Sequence, residues 1–342
     1  MKPLKQYIEN CIGNYTNESI LDDEDVLLGP EKDKEIIKSW IGDNYKIAGH
    51  LKINDDFTVD CSGLADVKNY DIESLTNGLF SWGKIDGSFS CSDCDKLLSL
   101  EGAPKEVGRD FNCAYCKNLR SLEGAPKYVR SNFNCAYCKN LKSLEGAPTK
   151  VGGDFSCSFC ENLTSLEGAP MKVGSRFTCI LCENLTSLKG APMEVGGDFG
   201  CYDCKKLLSL EGTPKEVGGG FTCSCCDNLK SLKGAPEKVR GDFSCHECIK
   251  LTTLEGAPKE VGGDFYCSDC KKLTSLKGAP MKVDGNFSCS YCDNLKSLKG
   301  APEKVGGYFD CSGCKKLTSL EGIPDVVRTQ VYCKNCPNIT IT

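Results

Sequence analysis

Cysteine is the residue type with the most evident chemistry in this chain. Twelve C-x-x-C pairs run from Cys91/Cys94 to Cys333/Cys336. The first member recurs every 22 residues, at Cys113, Cys135, Cys157, Cys179, Cys201, Cys223, Cys245, Cys267, Cys289 and Cys311. Two consecutive pairs, C-x2-C-x18-C-x2-C, fall inside the spacing of a four-thiolate zinc site. If the units stack, the thiols form columns with steps of about 4.8 Å. Two neighbouring units could then offer four thiolates to one zinc ion or one iron–sulfur cluster. Dithiol redox chemistry fits less well, because it needs a C-x-x-C at a helix start to lower a thiol pKa, and no helical pattern follows these pairs. A simpler reading accounts for the same letters. Free cysteine behaves as a small apolar residue and is among the most often buried, and a dedicated metal site would be local rather than present in every unit. The reading is therefore buried reduced thiols with no metal and no cofactor, and zinc or iron–sulfur clusters are the alternative.

Other chemistry is thin. Histidine occurs only at His50 and His246, in no recognisable constellation. The Gly-Gly pairs lack the lysine of a phosphate-cradling loop. Carboxylates such as Asp154 and Asp198 belong to a ladder, without the unequal surroundings that separate an acid from a base. No catalytic residue is assigned, and an enzyme is not expected.

The elements that must position these residues follow from the period. A fixed interval of 22 residues means a solenoid. The consensus from Phe89 onward is F-x-C-x-x-C-x-[NK]-L-x-S-L-[EK]-G-A-P-x-x-V. Phe and the first Cys lie two apart, on the same side of a short strand. Stacked coils would set these strands in one long parallel sheet. The two cysteines, two leucines, Phe and Val point inward, and Gly-Ala-Pro and Val-Gly-Gly form corners. Gly and Pro leave no room for a helix of more than a turn. The expected fold is thus mainly β, a right-handed solenoid with a small helical N-terminal cap.

Residues 1–45 are the capping segment. Leu4, Tyr7, Ile8, Cys11 and Ile12 have helical spacing, and Asn14 to Leu28 is polar and acidic. A second helix is expected after Pro30, burying Ile36, Ile37, Trp40 and Ile41 and stopping at Gly42. Residues 46–88 form a divergent first coil: Tyr45 to Ile53 alternates like a strand, and Asp56-Phe57-Thr58-Val59 matches Asp-Phe-x-Cys. That match leaves 32 residues from Phe57 to Phe89, an insertion. Residues 89–342 are the regular array. It ends with Val331 in the Phe place and no capping helix, so its last face suits the tail, a partner or a second copy in a homodimer.

Apolar residues make up 40% and charged residues 26% of the 342, with a net charge of -5. A nucleic-acid partner would call for a basic face, and none is expected. No stretch reaches the roughly 18 apolar residues of a membrane span. MKPLKQYIENCIGNYTNE lacks the h-region of a secretory signal, so a cytoplasmic location is expected.

Written from Val107, V-G-R-D-F-N-C-A-Y-C-K-N-L-R-S-L resembles the leucine-rich repeat, with one extra residue before Phe111. Cys116 followed by Leu119 is similar to the cysteine-containing and BspA-like types, and the whole unit resembles arrays in phage and gut-bacterial genomes. The resemblance covers Phe57 to Ile341. The chain departs from it in having cysteine at both strand and turn, and in lacking a convex-side helix. The resemblance implies a curved solenoid that binds proteins or other macromolecules, without catalysis. A fold does not by itself fix a function.

In such an array, a binding site shows where outward columns leave their own consensus. Two residues after the first Cys, Tyr115, Tyr137, Phe159 and Leu181 fill four consecutive coils, and Ile180 and Tyr202 lie in the column beside them. Arg176 is the one base in the usually acidic column before Phe, and Arg109 and Arg130 are near in sequence. Exposed aromatics with arginine are typical interface anchors, so these nine residues are the candidate site for a protein partner. Self-packing of the stripe on the sheet is the alternative. Asp242, Glu247, Asp264 and Asp269 are a lesser candidate, for cations.

Overall fold

The computed structural model describes residues 30–339. The expected helical spacing of residues 3–12 and the polar stretch of 14–28 lie outside the described residues. Helix α1 (Pro30–Asn44) places Glu31 and Asp33 in its first turn, where acids suit the exposed amides. It runs two residues past Gly42, and the Asn44 side-chain amide donates to the Trp40 carbonyl at 2.9 Å. Ile37 and Ile41 are fully buried, whereas Ile36 and Trp40 are half-buried. Strands β1 (Tyr45–Ala48) and β2 (Leu51–Ile53) follow, broken at Gly49 rather than continuous. Next come β3 (Thr58–Cys61), β4 (Leu64–Val67) and β5 (Ser81–Ile85).

Beyond β5 the 22-residue unit contributes two strands of two residues each, one at the Phe and one at the Val. The solenoid therefore carries two parallel sheets of fourteen strands where one was anticipated. The cysteine sheet runs from β4 through Phe89–Ser90 to Val331–Tyr332, and the valine sheet runs from β3 and β5 through Glu106–Val107 to Val326–Val327. Each sheet is closed at its N-terminal edge by an antiparallel strand, β1 on β4 and β2 on β3. The first coil is registered differently from the letter match. Ala65, not Phe57, pairs with Phe89, while Val59 pairs with Trp82 in the valine sheet. Phe57 is a half-buried turn residue with φ 59°. The match failed because Asp-Phe-x-Val describes a turn entering a strand as well as it describes the strand itself.

The six inward positions are buried as expected, with Phe, both Cys, both Leu and Val at or near zero exposure from Cys91 to Leu317. Consecutive Phe rings from Phe89 to Phe309 stack with centroids 5.1–5.5 Å apart. The corners are glycine for two different reasons. Gly190 of Gly-Ala-Pro is left-handed at φ 88°, and a Cβ there would lie 2.6 Å from the Glu167 backbone. Gly196 of Val-Gly-Gly has no such φ. A Cβ on it would meet the Gly174 carbonyl oxygen at 2.2 Å, so close approach of the coils requires the glycine.

The acidic column before Phe is structural. Asp110, Asn132, Asp154, Asp198, Asp242, Asp264 and Asn286 each accept the amide of the equivalent residue in the next coil, at 2.6–3.1 Å. The Asn after the second Cys acts through its side chain. Asn118, Asn184, Asn228 and Asn294 donate to a carbonyl of the preceding coil.

Among the described residues the last coil is less covered than those before it. Val331, Cys333, Cys336 and Ile339 are only half-buried, although their equivalents in the coils before are fully covered. In the preceding coil, Phe309, Cys311 and Gly313 donate their amides to carbonyls of this last one. The matching amides of Val331, Cys333 and Asn335 have no backbone acceptor among the described residues. Because Phe177 is covered on both sides, Phe177→Ala should cost about 3–5 kcal/mol in urea unfolding. Val331→Ala should shift the midpoint far less, since its site is already half open. Equal shifts would contradict the stacked core.

Candidate functional site

The outward stripe sits at a strained backbone position. The residue two after the first Cys is left-handed in each of the twelve coils, from Asp93 at φ 61° to Asn335 at 59°. Tyr115, Tyr137, Phe159 and Leu181 have φ of 62°, 61°, 60° and 56°. The sequence reading did not anticipate this. The column carries no consistent Asn-or-Gly signature, because its residue type varies from coil to coil. Tyr115 and Tyr137 stack at 4.4 Å between centroids, and Tyr137 and Phe159 at 4.2 Å. Tyr115 is 43% exposed, and Tyr137, Phe159 and Leu181 are half-buried. The small residues Ala114 and Ala136 are buried beside the stripe, and Ile180 and Tyr202 extend it half-buried. Ile180 lies over Gly200, where its side chain covers the missing one.

The arginines are not assembled with the stripe. Arg109 and Arg130 are exposed at the corner between the two sheets, at the far end of the strand from Tyr115 and Tyr137. Arg176 is engaged by Asp154, with Nη2 and Nε at 2.8 and 3.2 Å from Oδ2. The four acids do not form a cation site of their own. Asp242 and Asp264 accept coil amides, Asp269 pairs with Lys271 at 2.8 Å, and Glu247 accepts from the Cys225 thiol at 3.6 Å.

The cysteines have a second role beside packing. Every second-cysteine thiol from Cys116 to Cys336 donates to the first-cysteine carbonyl of the preceding coil, at 3.1–3.3 Å. The chain turns directly after the first Cys, and amides that would have continued the ladder are taken by side chains, as Ala136 is by Asn134. The thiol supplies the missing donor to a buried carbonyl. First-cysteine thiols such as Cys157 and Cys201 donate onward to the next coil. All cysteines among the described residues are free. No three His, Cys, Asp or Glu side chains among the described residues are grouped where a metal ion could sit. No helix among them is long and apolar enough to cross a membrane.

Comparisons with known proteins add little to this geometry. No family model matches the chain, and no curated protein matches it. A solved leucine-rich repeat protein from Bacteroides ovatus ATCC 8483 is similar at 17% identity and a TM-score of 0.33, over 86% of this chain and 91% of that one. The 22-residue period and the solenoid seen here fit a leucine-rich-repeat-like array.

Burial sets the thiol protonation. Cys113, Cys135 and Cys157 are held well above the ordinary thiol value, chiefly by burial, and Cys94 is pushed up to about 12 by the same cause. The unfolded chain releases these protons above about pH 8.5, where the native chain keeps them. Stability should be level below that pH and fall as pH rises from there toward 12. Urea midpoints between neutral and alkaline pH check the sign, and a level or rising midpoint would refute it. Iodoacetamide on the native protein, with Cys11→Ser introduced, should modify Cys333 and Cys336 and spare Cys91 through Cys314, as peptide mapping will show.

Proposed function

We propose that the chain is a non-enzymatic repeat scaffold that binds a protein partner through the outward face of its cysteine sheet, centred on Tyr115, Tyr137, Phe159 and Leu181. The observation that carries this reading is the presence of large apolar side chains at left-handed positions. A residue other than Gly or Asn pays about 1–2 kcal/mol there, so three aromatic residues cost about 3–6. Their two stacked contacts return only about 0.5–1.5 kcal/mol each. Stacking explains how the rings lie and falls short of explaining why they are there. Gly313 and Asn335 show that the same turn accepts cheaper residues. The same turn carries Asp, Glu or Cys in other coils, so it is the run of aromatics in consecutive coils that distinguishes this face, and exposed aromatic clusters are typical of interfaces. Ile180 and Tyr202 widen the face. Arg109 and Arg130, at the sheet corner, would contact only a partner broad enough to span the strand.

A photo-crosslinking phenylalanine analogue at position 159 should give a defined protein adduct in extract of the native host. The same analogue at position 172, on the exposed side of the valine sheet, should not. Replacing Tyr115, Tyr137 and Leu181 by Asn should abolish the adduct while stability stays level or rises, because the strain relieved is at least as large as the stacking lost. Equal adducts from both positions would refute the assignment of the face.

A further inference from the structure

A second departure from the repeat lies on the same sheet near its C-terminal end, and it has the form of a cleft. Tyr291, Tyr308, Asp310, Ser312, Tyr332, Lys334 and Asn335 line an open surface depression of ≈ 380 Å³. Three local rules of the array are broken to make it. Tyr308 occupies the Asp/Asn column, where its neighbours accept the next coil's amide, and a tyrosine ring cannot do so. Asp310 and Tyr332 stand in a column otherwise dominated by Ser, Thr and Asn. Gly313 removes the side chain from the left-handed column, and the Tyr291 ring lies over the space, so that a Cβ at 313 would come within 2.5 Å of it. Tyr308 and Tyr332 meet edge to face at 5.6 Å and 76°, forming an angled wall. Sites where a repeat abandons its own structural logic are where function is expected.

We infer that this cleft binds the pyranose ring of a neutral carbohydrate. Flat aromatic faces suit the C–H faces of a sugar ring, and the hydroxyls around its rim need both donors and acceptors. The tyrosine hydroxyls, Asn335 and Lys334 supply donors. Asp310 supplies an acceptor, since among the described residues its carboxylate is engaged only through Oδ1, by the Ser312 amide at 2.9 Å. Asp310 and Lys334 cancel in charge. An aromatic cage for a quaternary ammonium ion would be left with uncompensated negative charge, and here the lysine opposes a cation. The inference is independent of the stripe at Tyr115 to Leu181, which lies several coils away.

The test is saturation-transfer NMR on the full chain with methyl glycosides of glucose, galactose, mannose and N-acetylglucosamine, each up to about 20 mM. At least one should bind, and Tyr332→Ala should weaken it about tenfold or more. Gly313→Asn keeps a residue suited to the left-handed turn and displaces the Tyr291 ring, so it should also abolish binding with the circular dichroism spectrum unchanged. Tyr115→Ala should bind like the parent. The inference fails if no glycoside binds, if binding survives both cleft substitutions, or if tetramethylammonium occupies the cleft and the sugars do not.

Discussion

Each residue of this array is stabilised chiefly by its own equivalent one coil away. Phe meets Phe, Val pairs with Val, and the Asp of one coil accepts the amide of the same position in the next. A strand of two residues has no stability alone, and a single coil buries little. The coils must therefore share one backbone path to within a fraction of an ångström, and the glycine contacts show how tightly that path is held. A side chain at Gly196 would strike the coil before it. This constraint explains why the interval never varies and why insertions appear only in the first coil, where the antiparallel strands of the cap replace a neighbour.

The thiol–carbonyl bonds follow from the same constraint. A coil must turn directly after its first cysteine, and that turn takes the amide that would have paired with the cysteine carbonyl. Only a small side chain able to fill apolar space and still donate a hydrogen can stand at the second position. Serine would donate, but it fills less volume and is more costly to bury. The cysteine ladder, whose spacing resembles that of a metal protein, thus also completes the backbone hydrogen bonding of the coils.

Much of this was legible in the letters, and the misses have physical causes. Position within the period predicted burial at Phe, Cys, Leu and Val, because inward positions must agree from coil to coil. The valine sheet was not visible, since two residues followed by glycines leave no alternation to read. The first-coil register was misread because Phe57 has the right neighbours and the wrong burial. The left-handed position escaped notice for the opposite reason, in that its side chains range from buried to exposed and share no chemistry. Column-by-column comparison found the stripe at Tyr115 to Leu181. Applied to the columns of Tyr308 and Tyr332, it would also have found the cleft.

The identity of successive coil faces has a consequence for how such a chain can change. Any internal unit presents the same Phe, Cys and Leu surface above and below, so a whole unit can be gained or lost by recombination between near-identical stretches without disturbing the core. Each event would shift the aromatic stripe relative to the tyrosine cleft by one step of about 4.8 Å. The array is in that sense a ruler with two marks, whose separation can be lengthened or shortened in whole graduations while the marks themselves stay intact.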